Sequence, residues 1–261
     1  MSPFLSATIA AGVLLCGALA RAEQTLVEPA TEAVDFATSP SARMLSVSGY
    51  EADPEIAELL APYAAQVAVL EAPIALNAQE MDRTMAGDWM ADVVREAASQ
   101  ALGEDVHLGF VNRGGVRTLM PAGKVSRATM MEIMPFDNAI VVFTVPGDQM
   151  LLLGSIIASR VYSSPGFPIS EGARITVDDE RQLVEFTIGG EPVTPERDYL
   201  VATSSYLAGG GDNMELLSED MAPPRDTGVL IRDAMIAHAL AVAEAGGEIQ
   251  PPAPGRYVRP E

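Results

Sequence analysis

The residues best suited to bind a ligand lie in a polar turn that follows an apolar segment. Residues 106–111 are strand-like, and they lead into Asn112–Arg117, which reads NRGGVR. A pair of glycines allows positive φ and lets a ligand approach bare backbone N–H groups. The amide and the guanidinium that flank the pair supply directional hydrogen-bond donors. On its own the pattern fits a binding turn and an ordinary polar loop equally well.

Catalytic patterns in the rest of the sequence are incomplete. Ser204-Ser205 has no nearby histidine and no GxSxG element, so the pair does not indicate a serine hydrolase. The only histidines are His107 and His238. Residues 105–107 spell DxH, but they lie in the strand-like segment before the turn, and we expect no metal site there. His238 falls on the apolar face of a predicted helix, where we expect a core position.

Composition narrows the classes of partner. The chain has 261 residues with 36 acidic and 16 basic side chains, and its formal net charge is −20. A field of this sign repels nucleic acid and anionic lipid, so neither is an expected partner. Lys124 is the only lysine, and no GxxxxGK[ST] motif surrounds it, which excludes a P-loop. Cys16 is the only cysteine, so the fold needs no disulfide.

The first 22 residues are predicted to be a secretory signal peptide. Their apolar run over residues 7–20 ends in Ala-Arg-Ala, a typical cleavage pattern, and it is short for a membrane span. No Lys or Arg precedes the run, so an uncleaved anchor is the alternative. Cleavage would leave a periplasmic or secreted protein without a membrane contact. Residues 23–49, rich in Ala, Thr, Ser, Glu and Pro, are predicted to be a disordered lead-in.

The spacing of apolar residues predicts the elements that position the turn. A first helix is predicted to begin at Asp53-Pro54, and residues 67–76 are predicted to be an extended segment. The Pro-rich end from residue 253 is predicted to be a tail. The mixture of predicted helices, strands and hairpins indicates an α+β fold with a mixed sheet and packed helices. Further predicted helices are 88–102, 126–134 (N-cap Ser126), 147–162 and 227–245, and predicted strands are 138–145, 173–177, 183–188 and 199–204.

Three motifs occur in a fixed order along the chain. They are NRGGVR at residues 112–117, PFDN at 135–138 and YLAGGGD at 206–212. Together they resemble the C-terminal domain of the 5′-nucleotidase family, whose pattern contains N-x-G-G-[IV]-R, P-F-x-N and [FY]-x-a-x-G-G-D. The resemblance covers residues 50–257, leaves 258–261 as a tail, and implies the α+β fold of that domain.

The resemblance also implies a nucleotide site. In the family this domain holds the nucleotide, while a separate metallophosphoesterase domain holds two metal ions. Phe136 and Tyr206 would sandwich the base, a stacking worth ~1–3 kcal/mol per base. Asp212 would accept hydrogen bonds from ribose hydroxyls. The remaining residues implied to border the ligand are Asn112, Gly114, Gly115, Arg117 and Asn138.

Two departures from the family pattern affect the expected ligand. The family places one or two arginines before its first helix, but positions 76 and 80 are Leu and Glu here, and Arg83 is out of register. Each lost guanidinium removes charge-assisted bonds of roughly 1.5–3 kcal/mol, which favours an uncharged nucleoside and leaves Arg117 as the principal cation. Asn-Met at residues 213–214 also replaces the usual glycine and aromatic, which is expected to alter the loop.

The sequence lacks the ligands of a dimetal phosphoesterase. Such a centre needs convergent His, Asp and Asn side chains around ions ~3.5–4 Å apart, and neither GNH[DE] nor GHxH occurs. We therefore expect a substrate-binding domain that stands alone, holds no cofactor and is inactive by itself. Its expected role is nucleotide catabolism with a nucleoside or nucleotide as ligand and a separately encoded metallophosphoesterase as partner. The alternative is a non-catalytic stand-alone binding or protein-interaction module.

Overall fold

The structure is a computed structural model, and it describes residues 66–161 and 166–259. The predicted signal peptide, lead-in and helix at Asp53 lie outside the described residues. Residues 66–71 are helical and Pro73–Ala75 form strand β1. The extended segment predicted for 67–76 is therefore wrong in its first half, where Ala, Leu and Glu favour helix. In the described ranges, no helix is long and apolar enough to cross a membrane.

A four-stranded mixed sheet carries the predicted binding turn. Strand β2 (Leu108–Gly109) runs parallel to β8 (Tyr199–Ser204), whereas β4 (Ala139–Val145) is antiparallel to both β8 and β9 (Arg225–Leu230). The two middle strands, β8 and β4, are almost wholly buried, which explains their near-continuous apolar sequence. In spatial order the strands are β2 (Leu108–Gly109), β8 (Tyr199–Ser204), β4 (Ala139–Val145) and β9 (Arg225–Leu230).

Two long helices pack together against this sheet, α1 (Arg83–Leu102) and α6 (Ile231–Glu244). Helix α1 begins before the predicted residue 88, because the Asp82 carboxylate accepts hydrogen bonds from the N–H groups of Thr84 and Met85. It ends at Gly103, whose φ of 65° lies in the left-handed region that glycine adopts readily.

A second four-stranded sheet lies under helix α3 (Gly147–Ser159). Its central hairpin, Ala173–Val177 and Leu183–Ile188, has the predicted bounds. Strand β10 (Tyr257–Val258) runs parallel to the first of these two strands and extends the sheet on that side. The helix approaches the hairpin closely, since a Cβ atom on Gly154 would lie 2.6 Å from the ring of Phe186. The strands are β10 (Tyr257–Val258), β5 (Ala173–Val177), β6 (Leu183–Ile188) and β7 (Glu191–Pro192).

The remaining elements are short. Strand β1 pairs with β3 (Val125–Ser126), which leads into helix α2 (Arg127–Ile133). The predicted N-cap is confirmed, because Ser126 and Thr129 exchange side-chain to backbone hydrogen bonds in a capping box. Helices α4 (Ser205–Ala208) and α5 (Glu215–Glu219) follow β8. The architecture is α+β with mixed sheets and packed helices, as predicted.

The helix predicted for residues 227–245 is wrong at its beginning. Residues 227–230 belong to β9, and the helix starts only at Ile231. Gly228 has a φ of 71°, which is incompatible with a right-handed helix. The Thr227 hydroxyl donates to the carbonyl oxygen of Ile140 over 2.8 Å, which attaches the segment to β4.

The Pro-rich end is not a loose tail up to residue 259. Strand β10 joins the second sheet, and the preceding Arg256 is only 6% exposed. Its guanidinium binds both carboxylate oxygens of Asp92 at 2.9 and 2.7 Å. It also donates to the carbonyl oxygens of Asp88 and Ile169. Charge pairing with α1, rather than apolar patterning, fixes this segment, and so the sequence pattern did not indicate it.

Candidate functional site

Three chain segments converge at one edge of the β2-β8-β4-β9 sheet. Because β2 and β8 are parallel, with Leu108 opposite Val201, the turn after β2 and the loop after β8 leave the sheet at the same edge. Strand β4 is antiparallel to β8, with Ile140 opposite Ser204, so the segment 135–138 before β4 lies there too. The topology therefore gathers the three predicted motifs.

The turn after β2 is folded around the side chain of Asn112. Residues 113–115 form a 3-10 turn, in which the Gly115 N–H donates to the Asn112 carbonyl oxygen over 3.0 Å. Neither glycine of the pair has positive φ, contrary to the sequence-based expectation. A Cβ atom on Gly114 would lie 3.2 Å from Asn112 Nδ2, and one on Gly115 3.1 Å from Asn112 Oδ1. A side chain at either position would therefore press on the Asn112 amide, which would have to shift by a few tenths of an ångström.

The Asn112 amide connects this turn to the loop after β8. Nδ2 donates to Asp212 Oδ2 over 2.8 Å, and Asn112 is only 7% exposed. The other carboxylate oxygen, Oδ1, accepts a hydrogen bond from the Tyr206 hydroxyl at 3.1 Å. Hydrogen bonds to an ionised acceptor are worth about 1.5–3 kcal/mol each. Three of the predicted site residues thus form one connected network.

The loop that carries Asp212 has an unusual backbone. Gly210, Asp212 and Asn213 have φ values of 85°, 52° and 56°. Glycine takes this conformation without strain, and Asp and Asn tolerate it better than other residues do. Asparagine at 213 therefore keeps a conformation that suits the usual glycine, and Met214 fills a fully buried position. The Asn-Met replacement is accommodated without loss of the turn.

Two aromatic rings present open surface at this edge. Phe136 is 43% exposed and Tyr206 is 44% exposed, whereas most large apolar side chains of this domain are buried. The guanidinium carbon of Arg117 lies 5.9 Å from the centroid of the Phe136 ring, within the range of a cation–π contact. The Tyr206 ring lies against Gly211, because a Cβ atom there would come within 2.5 Å of Cζ.

Asn138 attaches the Phe136 segment to the sheet. Its carbonyl oxygen accepts a hydrogen bond from the Ile231 N–H over 3.0 Å. The N–H of the next residue, Ala139, donates to the Ser205 hydroxyl oxygen over 3.1 Å. These bonds hold the segment before β4 beside the beginning of α4, which carries Tyr206.

Arg83 contacts the turn although the sequence placed it out of register. Its Nε donates to the carbonyl oxygen of Val116 over 2.8 Å, and Nη2 lies 3.5 Å from the carbonyl oxygen of Arg113. Arg117 Nη1 donates to the Gly114 carbonyl oxygen over 3.2 Å. Two guanidiniums therefore surround the turn, and the interpretation of Arg117 as the principal cation was too narrow.

Arg160 is a further residue that the sequence did not reveal. It follows helix α3, and its Nη1 donates to the backbone carbonyl oxygen of Asp212 over 2.6 Å. Its guanidinium also lies 5.4 Å from the centroid of the Phe167 ring. No local motif marks this arginine, because the contact depends on how α3 packs beside the loop.

The Asp105–His107 segment has a structural role. His107 Nδ1 accepts a hydrogen bond from the Leu200 N–H over 2.8 Å, which ties the start of β2 to β8. Burial, aided by Arg197, lowers the pKa of His107. Within residues 66–161 and 166–259, no group of three or more His, Cys, Asp or Glu side chains could hold a metal ion.

A carboxyl group on α1 lies close to the same turn. Burial raises the pKa of Asp88 to about 6, although the guanidiniums of Arg256 and Arg113 oppose the rise. The nearby carboxylate of Asp92 acts in the same direction as burial. Asp88 therefore titrates nearer to neutral pH than an ordinary carboxyl does.

Known proteins are similar to this chain in sequence and in fold. Residues 64–219, more than half of the chain, match the family described as 5′-nucleotidase, C-terminal domain. The silent protein UshA(0) of Salmonella typhimurium is 29% identical over 123 residues, covering 47% of this chain and 22% of that protein. Protein UshA of Yersinia enterocolitica is 25% identical over 189 residues, covering 69% and 33%. The 5′-nucleotidase precursor from Thermus thermophilus has a TM-score of 0.62 at 20% identity, covering 77% and 42%.

The chain belongs to the 5′-nucleotidase C-terminal domain family, as its motifs predicted. It spans about a third or less of the length of these two curated relatives. The activities of the whole proteins therefore do not follow for this chain. The geometry brings the site residues to one edge, and their ligand contacts stay predictions.

Proposed function

We propose that this chain is an exported nucleoside- or nucleotide-binding module that acts in nucleotide catabolism. Hydrolysis would be carried out by a separate metallophosphoesterase outside these 261 residues. The observation that carries the proposal is the edge at which the exposed rings of Phe136 and Tyr206 project from neighbouring segments, with the Tyr206 hydroxyl bonded to the Asp212 carboxylate. Flat apolar faces next to a fixed hydrogen-bond acceptor suit a ligand with a base and a sugar.

The base would stack between the Phe136 and Tyr206 rings. Both rings project from segments that hydrogen bonds hold next to each other, through Ala139 and Ser205. Stacking contributes ~1–3 kcal/mol per base and depends little on which base is present. The site would therefore accept several bases, with a preference set by ring size.

The sugar and the phosphate would contact the polar side of the same edge. The Asp212 carboxylate can accept hydrogen bonds from ribose hydroxyls, and Asn112 fixes its orientation. Arg83 and Arg117 each carry more N–H groups than they use on backbone carbonyl oxygens. These two guanidiniums would bind a phosphate, so a nucleotide is accepted although the upstream arginines of the family pattern are missing.

Calorimetric titration of the purified protein with adenosine and AMP tests the proposal. We expect both ligands to bind, and Phe136→Ala to weaken both by roughly 5- to 100-fold, because the variant loses one stacking face. Val184→Ala is the matched control, since Val184 is also an exposed apolar residue but lies on β6 of the other sheet. Absence of heat and of a thermal shift with either ligand would contradict the proposal.

The phosphate contact is tested by the same titration on arginine variants. Arg117→Ala should weaken AMP roughly tenfold or more and leave adenosine within about twofold, because a charge-assisted bond is lost only for the nucleotide. Equal losses for the two ligands would indicate that Arg117 supports the fold of the turn rather than binding phosphate.

Export and dependence on a partner are tested separately. Mass spectrometry of the protein from its native host should show a chain that begins at Glu23, as cleavage after Ala22 predicts. The purified chain should release no phosphate from AMP with added Mn²⁺. Release that requires addition of a metallophosphoesterase from the same cells would support the division of labour, and release by the chain alone would contradict it.

A further inference from the structure

The Tyr206 hydroxyl donates a hydrogen bond to the Asp212 carboxylate, which is proposed to bind the ribose hydroxyls. Asp212 Oδ1 accepts a hydrogen bond from this hydroxyl at 3.1 Å, and Oδ2 accepts one from Asn112 Nδ2 at 2.8 Å. Each oxygen of the carboxylate therefore already holds a donor from the protein itself.

The local backbone builds this contact. Ser204 caps the short helix α4 by accepting a hydrogen bond from the Leu207 N–H, which sets the direction of Tyr206. The left-handed residues Gly210 and Asp212 turn the chain back toward the helix. Gly211 leaves space for the ring, since a Cβ atom would lie 2.5 Å from Tyr206 Cζ and 2.6 Å from its carbonyl oxygen. The hydroxyl is thus held at the carboxylate from both sides.

A vicinal diol makes its best contact with a carboxylate when it donates one hydrogen bond to each oxygen. In this chain the donor on Oδ1 belongs to the ring that would stack on the base, so it lies next to the proposed ligand. We propose that Tyr206 is a specificity-determining residue that competes with a ribose diol for Asp212. The consequence is a site that distinguishes poorly between ribonucleosides and 2′-deoxyribonucleosides. The inference rests on the proposed function.

Replacing Tyr206 with phenylalanine tests the proposed competition for the Asp212 carboxylate. The family pattern accepts either aromatic residue here, and Tyr206→Phe keeps the stacking ring while it removes the hydroxyl. Oδ1 of Asp212 then becomes available to a ligand hydroxyl, and the hydrogen bond gained is one to an ionised acceptor. A ribose diol can then donate one hydrogen bond to Oδ1 and one to the remaining lone pair of Oδ2, whereas 2′-deoxyribose has one hydroxyl fewer, so the change appears in the ratio of the two affinities.

The experiment is a calorimetric measurement of Kd for adenosine and 2′-deoxyadenosine. The ratio of the two constants should be within about threefold in the unaltered protein and roughly tenfold or more in Tyr206→Phe, in favour of adenosine. Because both ligands carry the same base, any change in stacking cancels in the ratio. Adding Asp212→Asn to Tyr206→Phe should return the ratio to near one, since the gain depends on the carboxylate.

The outcomes separate this inference from the proposed function. If the unaltered protein binds adenosine but Tyr206→Phe leaves the ratio unchanged, the competition is absent and only this inference is overturned. The same holds if the ratio rises but does not depend on Asp212. If the unaltered protein binds neither nucleoside, this inference is overturned, and the proposed function is overturned with it only if AMP also fails to bind.

Discussion

Asn112 Nδ2 lies 2.8 Å from Asp212 Oδ2, and this hydrogen bond joins two turns that are 100 residues apart in the chain. The first turn continues β2 and the second follows β8, and the two strands are parallel neighbours. The bond therefore closes the edge of the sheet at which the candidate site lies. Because Asn112 is buried, losing the bond affects the stability of the protein as well as ligand binding.

Asn112→Asp should destabilise the protein in a pH-dependent way. The substitution places a second carboxylate next to Asp212, so the pair gains repulsion in place of a charge-assisted hydrogen bond. We expect a loss of roughly 2 kcal/mol in the free energy of unfolding at pH 8. Lower pH neutralises part of this repulsion, so the loss should be smaller at pH 5 than at pH 8.

Urea unfolding at the two pH values measures this effect. Asn77→Asp is the matched control, because Asn77 is exposed and the substitution adds the same charge. A loss in Asn112→Asp that is equal at pH 5 and pH 8, or that the control reproduces, would show that the two side chains are not coupled.

Gly211→Ala should weaken nucleoside binding and should also destabilise the loop after β8. The added methyl would come within 2.6 Å of both the Tyr206 ring and its carbonyl oxygen, so the ring must leave its present position. We expect roughly tenfold weaker adenosine binding, by loss of one stacking contact. At Gly209 the nearest atoms would be 3.5 and 3.7 Å away. Gly209→Ala should therefore bind normally, and equal affinities for the two variants would be the contrary result.

The motifs of the site were readable from the sequence, but the reasons for their residues were not. The sequence placed Asn112, Phe136 and Asp212 in one site because the family pattern orders them. It interpreted the Gly114-Gly115 pair as a source of positive φ, whereas the structure shows that the pair makes room for the Asn112 amide. The φ preference of a residue depends on its own type and its sequence neighbours. The folded-back position of the Asn112 amide depends instead on its hydrogen bond to Asp212, 100 residues away.

The same distinction explains the arginines and the chain end. Arg83 and Arg160 reach the site through backbone carbonyl oxygens, and such contacts leave no periodic signal in the sequence. Arg256 fixes the C-terminal segment by pairing with Asp92, which lies 164 positions away. Apolar periodicity correctly gave β4, β8 and the β5–β6 hairpin, whose side chains fill the cores. Apolar periodicity did not predict the C-terminal segment, because charge pairing determines where that segment lies.

Arg256→Ala should be among the most destabilising single substitutions in this domain. It leaves the Asp92 carboxylate and the carbonyl oxygens of Asp88 and Ile169 without their buried donor. Removing one partner of a buried pair costs roughly 3–5 kcal/mol. Unfolding in guanidinium chloride should show a loss of this order in the free energy of unfolding.

Arg225→Ala serves as its control. It breaks the exposed pair with Glu104, in which Arg225 Nη1 lies 2.6 Å from Glu104 Oε1, and it should cause no measurable loss because solvent screens the charges. If the two variants were destabilised equally, burial would not be what gives the Arg256 contact its importance.

Asp88→Asn should stabilise the protein at alkaline pH and have no such effect in acid. The folded-state pKa of Asp88 is raised from 3.8 to about 6, so the folded protein holds this proton more tightly than the unfolded chain. The stability that Asp88 contributes is present below pH 4 and is lost as pH rises through about 6. The variant should gain on the order of 2 kcal/mol over the unaltered protein at pH 8. A difference that does not vary between pH 4.5 and pH 8 would contradict the assignment.

The proposed function requires that a nucleoside base lie between the rings of Phe136 and Tyr206. Intermolecular nuclear Overhauser effects measured on the adenosine complex would detect this arrangement. We expect effects from the adenine H2 and H8 protons to ring protons of both residues, with upfield shifts of the adenine signals. Effects that reach neither ring, or adenine signals that contact only residues away from this edge, would contradict it.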